Sequence, residues 1–210
     1  MVKNLFILLI CIGFQIAHAN VEQSWDHFPK ERSYFSPDQK LVNFAVPYMA
    51  SWSFYLVDQN SIIKDHGSFE NWFTNPTKPH FDRDSFDYNI FKHSLAGASF
   101  YLWFRSRGYE VQNAFIWTFL TSLAFEFTIE TVTERPSYQD IYQTPVFGTV
   151  LGIGVEKLSR YFHSWDNWLG HGLGYITDPF TLIPQQKEID LSVIPVIDAN
   201  KQGLYITYRY

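Results

Sequence analysis

Three apolar stretches of this chain each carry a row of polar or small residues at every fourth position. The first row is Asn89, His93, Gly97, Tyr101 and Arg105; the second is Thr118, Ser122, Glu126, Glu130 and Glu134; the third is Thr144, Gly148, Gly152, Glu156 and Arg160. A four-residue step keeps side chains on one face of a helix. The polar face is narrow and the apolar face wide, the reverse of an ordinary surface helix. Carboxylates facing hydrocarbon are very costly, so the rows are expected to face one another and form a buried polar centre.

Three chemistries suit such a centre. His93, Glu126, Glu130 and Asp140 could ligate a hard or borderline cation. The Glu-x-x-His pairs of di-iron bundles are absent, however, and one histidine alone is well placed, so no metal and no cofactor is expected. A hydrolase or transferase acting on lipid would use His93 as general base, oriented by Glu126, with Glu130, Asp140 and Ser137 or Arg135 near the substrate. Arg135-Pro136-Ser137 overlaps the motifs of lipid phosphatases, but Tyr138, Gln139 and Asp166 stand where glycine and the histidines would be required. The third reading is structural: a satisfied network of Asn89, His93, Glu126 and Glu130 fixes helix register at some cost in stability. The structural reading is preferred. Asn89, Tyr101 and Arg105 are the candidate binding residues. Glu134 and Arg135 read as a solvated helix end, and His27, His66, His80, His163 and His171 as surface or core residues.

The elements that must position these groups are mainly helical. Asn89 to Arg107 is a helix stopped by Gly108, and Val111 to Glu134 is a second that ends before Pro136. The short junction makes them antiparallel, so facing residue numbers sum to roughly 218. That sum sets His93 beside Glu126, Asn89 beside Glu130, and Arg105 beside Gln112 or Asn113. Ser137 with Asp140 resembles a capping box, and Thr144-Pro145 reads as a further helix start, running to about Phe162. Gly97, Gly148, Gly152 and Gly154 give smooth faces for close helix approach. Pro47 should kink or restart the helix of Leu41 to Val57. Residues 58–88 read as a loop with short helices and docking aromatics. Asp190 to Ile197 and Gly203 to Tyr210 suggest a β-hairpin, with Leu204, Ile206, Tyr208 and Tyr210 alternating on one face.

The expected fold is a mainly α small bundle with tightly packed glycine-stripe helices and that C-terminal hairpin. Its parts are a signal peptide (1–19), an irregular arm (20–40), a helical domain (41–180) and the tail (181–210). The signal rests on Lys3, the apolar run Leu5 to Phe14 and the Ala17-His18-Ala19 cleavage form. Cleavage would remove Lys3 and the single cysteine, Cys11, leaving no disulfide and 15 basic against 21 acidic residues, a net charge of −6. That acidic balance argues against nucleic acid as a partner. Aromatic residues make up 19% of the chain and charged residues 18%. The latter is below the roughly 25% usual in soluble domains, which with the signal favours membrane association.

The spacing Asn89-x3-His93-x3-Gly97-x3-Tyr101-x3-Arg105, then Glu126-x3-Glu130, Pro136-Ser137-x2-Asp140 and Thr144-Pro145-x2-Gly148-x3-Gly152, resembles the bacterial domain of unknown function 3943 over residues 87–162. Ser94, Phe125 and the late position of Glu156 depart from the family's pattern, and Glu156 is left out of the site on that ground. The resemblance implies an exported envelope protein, periplasmic or outer-membrane associated, and carries no activity with it. Expected partners are outer-membrane lipid or an envelope protein.

Overall fold

Two glycines set how closely the main helices approach. In this computed structural model residues 28–81 and 85–183 are described, with the backbone alone of 190–198 and 201–209. The expected signal peptide, the arm up to residue 27 and the side chains of the tail lie outside the described residues. Over 28–183 the chain is mainly helical, with no strand among its described residues.

Helix α1 is Pro37–Asp58, opened by a capping box in which Ser36 Oγ accepts from the Gln39 N–H and Gln39 Oε1 accepts from the Ser36 N–H. This cap starts the helix four residues earlier than Leu41, and α1 runs through Pro47 without restarting. Short helices α2 (Asn60–His66) and α3 (Phe69–Thr74) and the 3-10 turn Asn75–Thr77 fill the stretch that follows. The central pair is α4 (Phe86–Ser106) and α5 (Val111–Ala124), joined through Gly108 at φ 91°. A left-handed φ favours glycine, and a Cβ there would also meet the Lys30 carbonyl oxygen at 2.9 Å. Helix α6 is Tyr138–His163, and α7 is Trp168–Thr177.

Helices α4 and α6 cross with glycine against glycine. A Cβ on Gly97 would lie 1.8 Å from the Thr144 carbonyl oxygen, and one on Gly148 2.4 Å from the Gly97 Cα. Backbone-to-backbone approach of this kind needs small residues, as the glycine stripes predict. At the other end of α4 the core is aromatic. Tyr109 stacks on Phe35 at 3.9 Å and meets Phe104 and Trp117 edge-on. Asn43 Nδ2 donates to the Tyr109 hydroxyl, and Trp103 Nε1 donates to the Asn43 carbonyl, which ties α1 to the α4–α5 turn.

The expected helix to Glu134 is corrected. After Ala124 the chain takes a π turn, Phe125–Ile129, and then a 3-10 turn, Glu130–Val132. Changing from one helical hydrogen-bond pattern to another leaves carbonyls without their usual partners. Side chains and backbone of the 67–80 segment supply replacements: Trp72 Nε1 donates to Thr128 O, Asn75 Nδ2 to Thr131 O, and the Ser68 N–H to Val132 O. Docking of that segment therefore satisfies the irregular turn that carries Glu126 and Glu130.

The second expected start at Thr144-Pro145 is also corrected: α6 is continuous from Tyr138. Ser137 alone caps it, its Oγ accepting from the Asp140 N–H at 3.3 Å. Without an N–H, Pro145 leaves one bond out of the ladder, and the Thr144 side chain points to a different task.

Candidate functional site

His93 sits at the middle of α4, where the Gly97–Gly148 crossing brings α6 against it. Its Nδ1 is 2.8 Å from Thr144 Oγ1, and its Nε2 is 3.3 Å from Asp140 Oδ1. Glu126 reaches the same place from the π turn: one ligand atom each of His93, Glu126 and Asp140 lie within 4.8 Å of one another, all buried. Thus the antiparallel sum placed His93 and Glu126 correctly, and α6 closes the cluster with Asp140 and Thr144.

The carboxylates crowd one another. Glu126 Oε2 accepts the Ser137 N–H at 3.2 Å. Burial, then the neighbouring Asp140 charge, pushes its carboxyl up to about 8, despite the bonds to Ser137 and Glu130. Glu130 is held well above the usual carboxylate range by burial and by the charges of Glu126 and Glu134. Its Oε2 is buried and has no hydrogen-bond partner among the described residues. Desolvation penalises the charged form of each acid, and like charges add to the penalty. One imidazole therefore faces an excess of acid in the buried interior.

The other expected site residues fall in two places. Asn89 is buried one turn before His93 on α4. Ser137 is buried as the α6 cap, its hydroxyl oxygen accepting the Asp140 N–H. Tyr101 and Arg105 join a second network, centred on Glu156, instead of His93. Arg105 forks onto Glu156, Nε to Oε2 at 2.9 Å and Nη2 to Oε1 at 2.8 Å. A bidentate guanidinium–carboxylate pair is the strongest polar contact open to it, and this fixes its rotamer across α4 and α6. Tyr101 Oη donates to Glu156 Oε2, Arg160 Nη2 donates to Glu156 Oε1, and Arg105 Nη1 donates to Glu31 and the Tyr109 carbonyl. Burial raises the Glu156 carboxyl, but Arg105 and Arg160 overcome it and hold the group below its ordinary value.

Glu156 is thus the residue that sequence reasoning set aside and the fold makes central. The third four-residue row contained the signal; the departure in family spacing obscured it. A small cleft borders this network at Phe28, Arg105, Glu156, Arg160, Asp178 and Phe180. A second omission is His163, fully buried, whose Nδ1 lies 3.0 Å from that of His171. One ring must donate and the other accept.

Asp178 beside the cleft yields a pH prediction. Burial pushes its carboxyl up to about 6 against an ordinary 3.8, although its Oδ1 accepts the Phe180 N–H. A raised acid stabilises the fold below its unfolded pKa, and that contribution is lost as pH rises through the folded value. Wild type should therefore lose roughly 2 kcal/mol between pH 4 and pH 6 through this group. Asp178→Asn keeps the acceptor, so its thermal melts should fall less over that window. Equal pH slopes for the two proteins would show that Asp178 is not buried as an acid.

Residues 78–180, just under half of the 210, match the family model described as Domain of unknown function (DUF3943). That segment contains both polar networks, and the match includes the span from which the resemblance was read. No curated protein and no solved structure matches the chain.

Proposed function

We propose that this protein is an exported cell-envelope component, periplasmic and docked on the outer membrane by its apolar helix faces. In this reading the buried His93–Glu126–Asp140 centre has a structural, register-setting role in envelope maintenance. One observation carries the reading: among the described residues, four helices expose apolar rows, and α6 does so opposite a buried row of polar and glycine residues. Along α6 the residues Thr144, Gly148, Gly152 and Glu156 are buried, while Tyr138, Tyr142, Val146 and Val150 are 46, 47, 43 and 46% exposed. Phe91 and Leu95 on α4, Ile116 and Leu120 on α5, and Val46, Met49 and Leu56 on α1 are exposed likewise. Exposed apolar rows on four helices exceed what a water-bathed surface usually shows, and lipid is the solvent that suits them.

Docking is favoured over crossing. One helical run among the described residues, Val111–Val132, is long and apolar enough to span a membrane. Its regular α part is 14 residues. That covers about 21 Å, short of a hydrocarbon core of about 30 Å, and the remainder is the irregular turn bearing Glu126 and Glu130. The C-terminal β-hairpin belongs to the same proposal. It is supported by the alternation of Leu204, Ile206 and Tyr208, and by an antiparallel register with Asp190 opposite Arg209. A lone hairpin needs a supporting surface, which the membrane or the helical body supplies.

Fractionation of native membranes tests the proposal. The protein should stay in the pellet through a salt wash and be released by carbonate or detergent. The triple variant Tyr142→Asp, Val146→Asp, Val150→Asp should leave the pellet without loss of its helical signal. Wild type found wholly in the soluble fraction would sink the docking.

The rival reading, a lipid-acting hydrolase using His93 and Glu126, has one observation in its favour: a buried imidazole beside carboxyls of raised pKa. Against it, the Ser137 hydroxyl already serves as the acceptor that caps α6.

A further inference from the structure

We propose that His93, Glu126 and Asp140 form a divalent-cation site, with the Glu130 carboxyl bonded to that of Glu126 beside it. The site deepens the structural reading of the same centre by giving the excess acid a counter-charge, and it is independent of membrane docking.

Geometry is the first support. Two donors that each lie about 2.1 Å from one tetrahedral ion stand about 3.4 Å apart. His93 Nε2 and Asp140 Oδ1 are 3.3 Å apart, and the Glu126 ligand atom lies within 4.8 Å of both. All three side chains come from separate elements, α4, the π turn and α6, so an ion there would join them much as a structural metal joins distant segments.

A second observation is the state of Glu130. Its Oε2 is buried with no hydrogen-bond partner among the described residues, while the carboxyl bonds to those of Glu126 and Glu134. Burying carboxyl groups this close together is costly, and a cation between Glu126 and Asp140 offsets that cost. A third is the orientation of the imidazole. With Nδ1 held by the Thr144 hydroxyl at 2.8 Å, the ring presents Nε2 toward the acids. With Nδ1–H donated to the Thr144 oxygen, Nε2 is the ring nitrogen that would ligate, 3.3 Å from Asp140 Oδ1. One imidazole with two or three carboxylate oxygens suits a borderline ion of the Mn²⁺, Fe²⁺ or Zn²⁺ class. The rarity of histidine in the rows, which argued against metal from sequence, is met by carboxylates from two further elements.

The test uses the full chain, purified in detergent without chelator, then incubated with Mn²⁺ or Zn²⁺ and desalted. Elemental analysis should find about one equivalent per chain, with a melting temperature raised by the ion and lowered by chelator. Asp140→Asn, isosteric and neutral, should hold less than a tenth of an equivalent, while Glu70→Gln on the surface holds the full amount. Should Asp140→Asn fail to fold, Thr144→Val leaves every ligand in place and should weaken binding 10- to 100-fold. Folded wild type that holds less than a tenth of an equivalent of either ion overturns the site. So does Asp140→Asn that retains the full equivalent. Metal-free wild type that still pellets with membranes overturns the ion and leaves docking intact; metal-bound protein that stays soluble supports the ion and sinks docking.

Discussion

Gly97→Ala is expected to be among the most damaging single changes in this protein. The added Cβ would sit 1.8 Å from the Thr144 carbonyl oxygen and 3.0 Å from the Gly148 Cα, and both are backbone that cannot rotate away. Helices α4 and α6 must then move apart. Overpacking of this kind costs about 3 kcal/mol or more, a loss of roughly 6–12 °C in melting temperature for a chain of this size. Separation also draws Thr144 and Asp140 away from His93, so the cluster should loosen along with the fold. Gly172→Ala is the matched control: it lies in α7, where an added Cβ meets nothing within 4 Å. There the gain in helix propensity should leave stability unchanged or raise it by up to about 1 kcal/mol. Two alanine variants with the same melting temperature would show that the α4–α6 crossing is looser than described.

Glu156→Ala should rival it. This carboxylate is nearly enclosed and accepts from Arg105, Arg160 and Tyr101. Its loss leaves the Arg105 guanidinium, 10% exposed, without the partner that its fork was built around. Removing one member of a buried pair costs about 3–5 kcal/mol, because the remaining charge is uncompensated. Arg160 is a third exposed and should matter less. Glu156→Gln keeps the shape and one acceptor, so it should fall between wild type and alanine. In a double-mutant cycle with Arg105→Met, the combined variant should be more stable than the sum of the single losses. Strict additivity would mean that Arg105 is held mainly by Glu31 and the Tyr109 carbonyl.

Periodicity carried much of this structure. The four-residue rows and the Gly108 junction placed His93 against Glu126 because an antiparallel pair with a short turn has little freedom in register. The same rows identified Gly97 and Gly148 as the contact between helices. The π turn at Phe125–Ile129 was hidden, since its residues suit an ordinary helix and its hydrogen bonds depend on docking of the distant 67–80 segment. Thr144-Pro145 mimics a cap followed by first-turn proline, yet Ser137 had already started the helix and Thr144 faces His93 instead. Arg105 was assigned by the local turn, but a bidentate carboxylate one helix away is the stronger attractor. His163 and His171 sit on two helices separated by a tight turn with Asp166 at φ 49°, a geometry that spacing alone does not reveal.

The arrangement of α6, with its polar and glycine row buried and its apolar row exposed, is the most direct place to test docking. With Cys11 replaced by serine, nitroxide labels at Tyr142→Cys, Val146→Cys and Val150→Cys report their surroundings in phospholipid vesicles. Relaxation by oxygen, which concentrates in lipid, should exceed relaxation by a water-soluble nickel chelate at all three. Labels relaxed mainly by the chelate while the protein is bound to vesicles would contradict a lipid-facing α6.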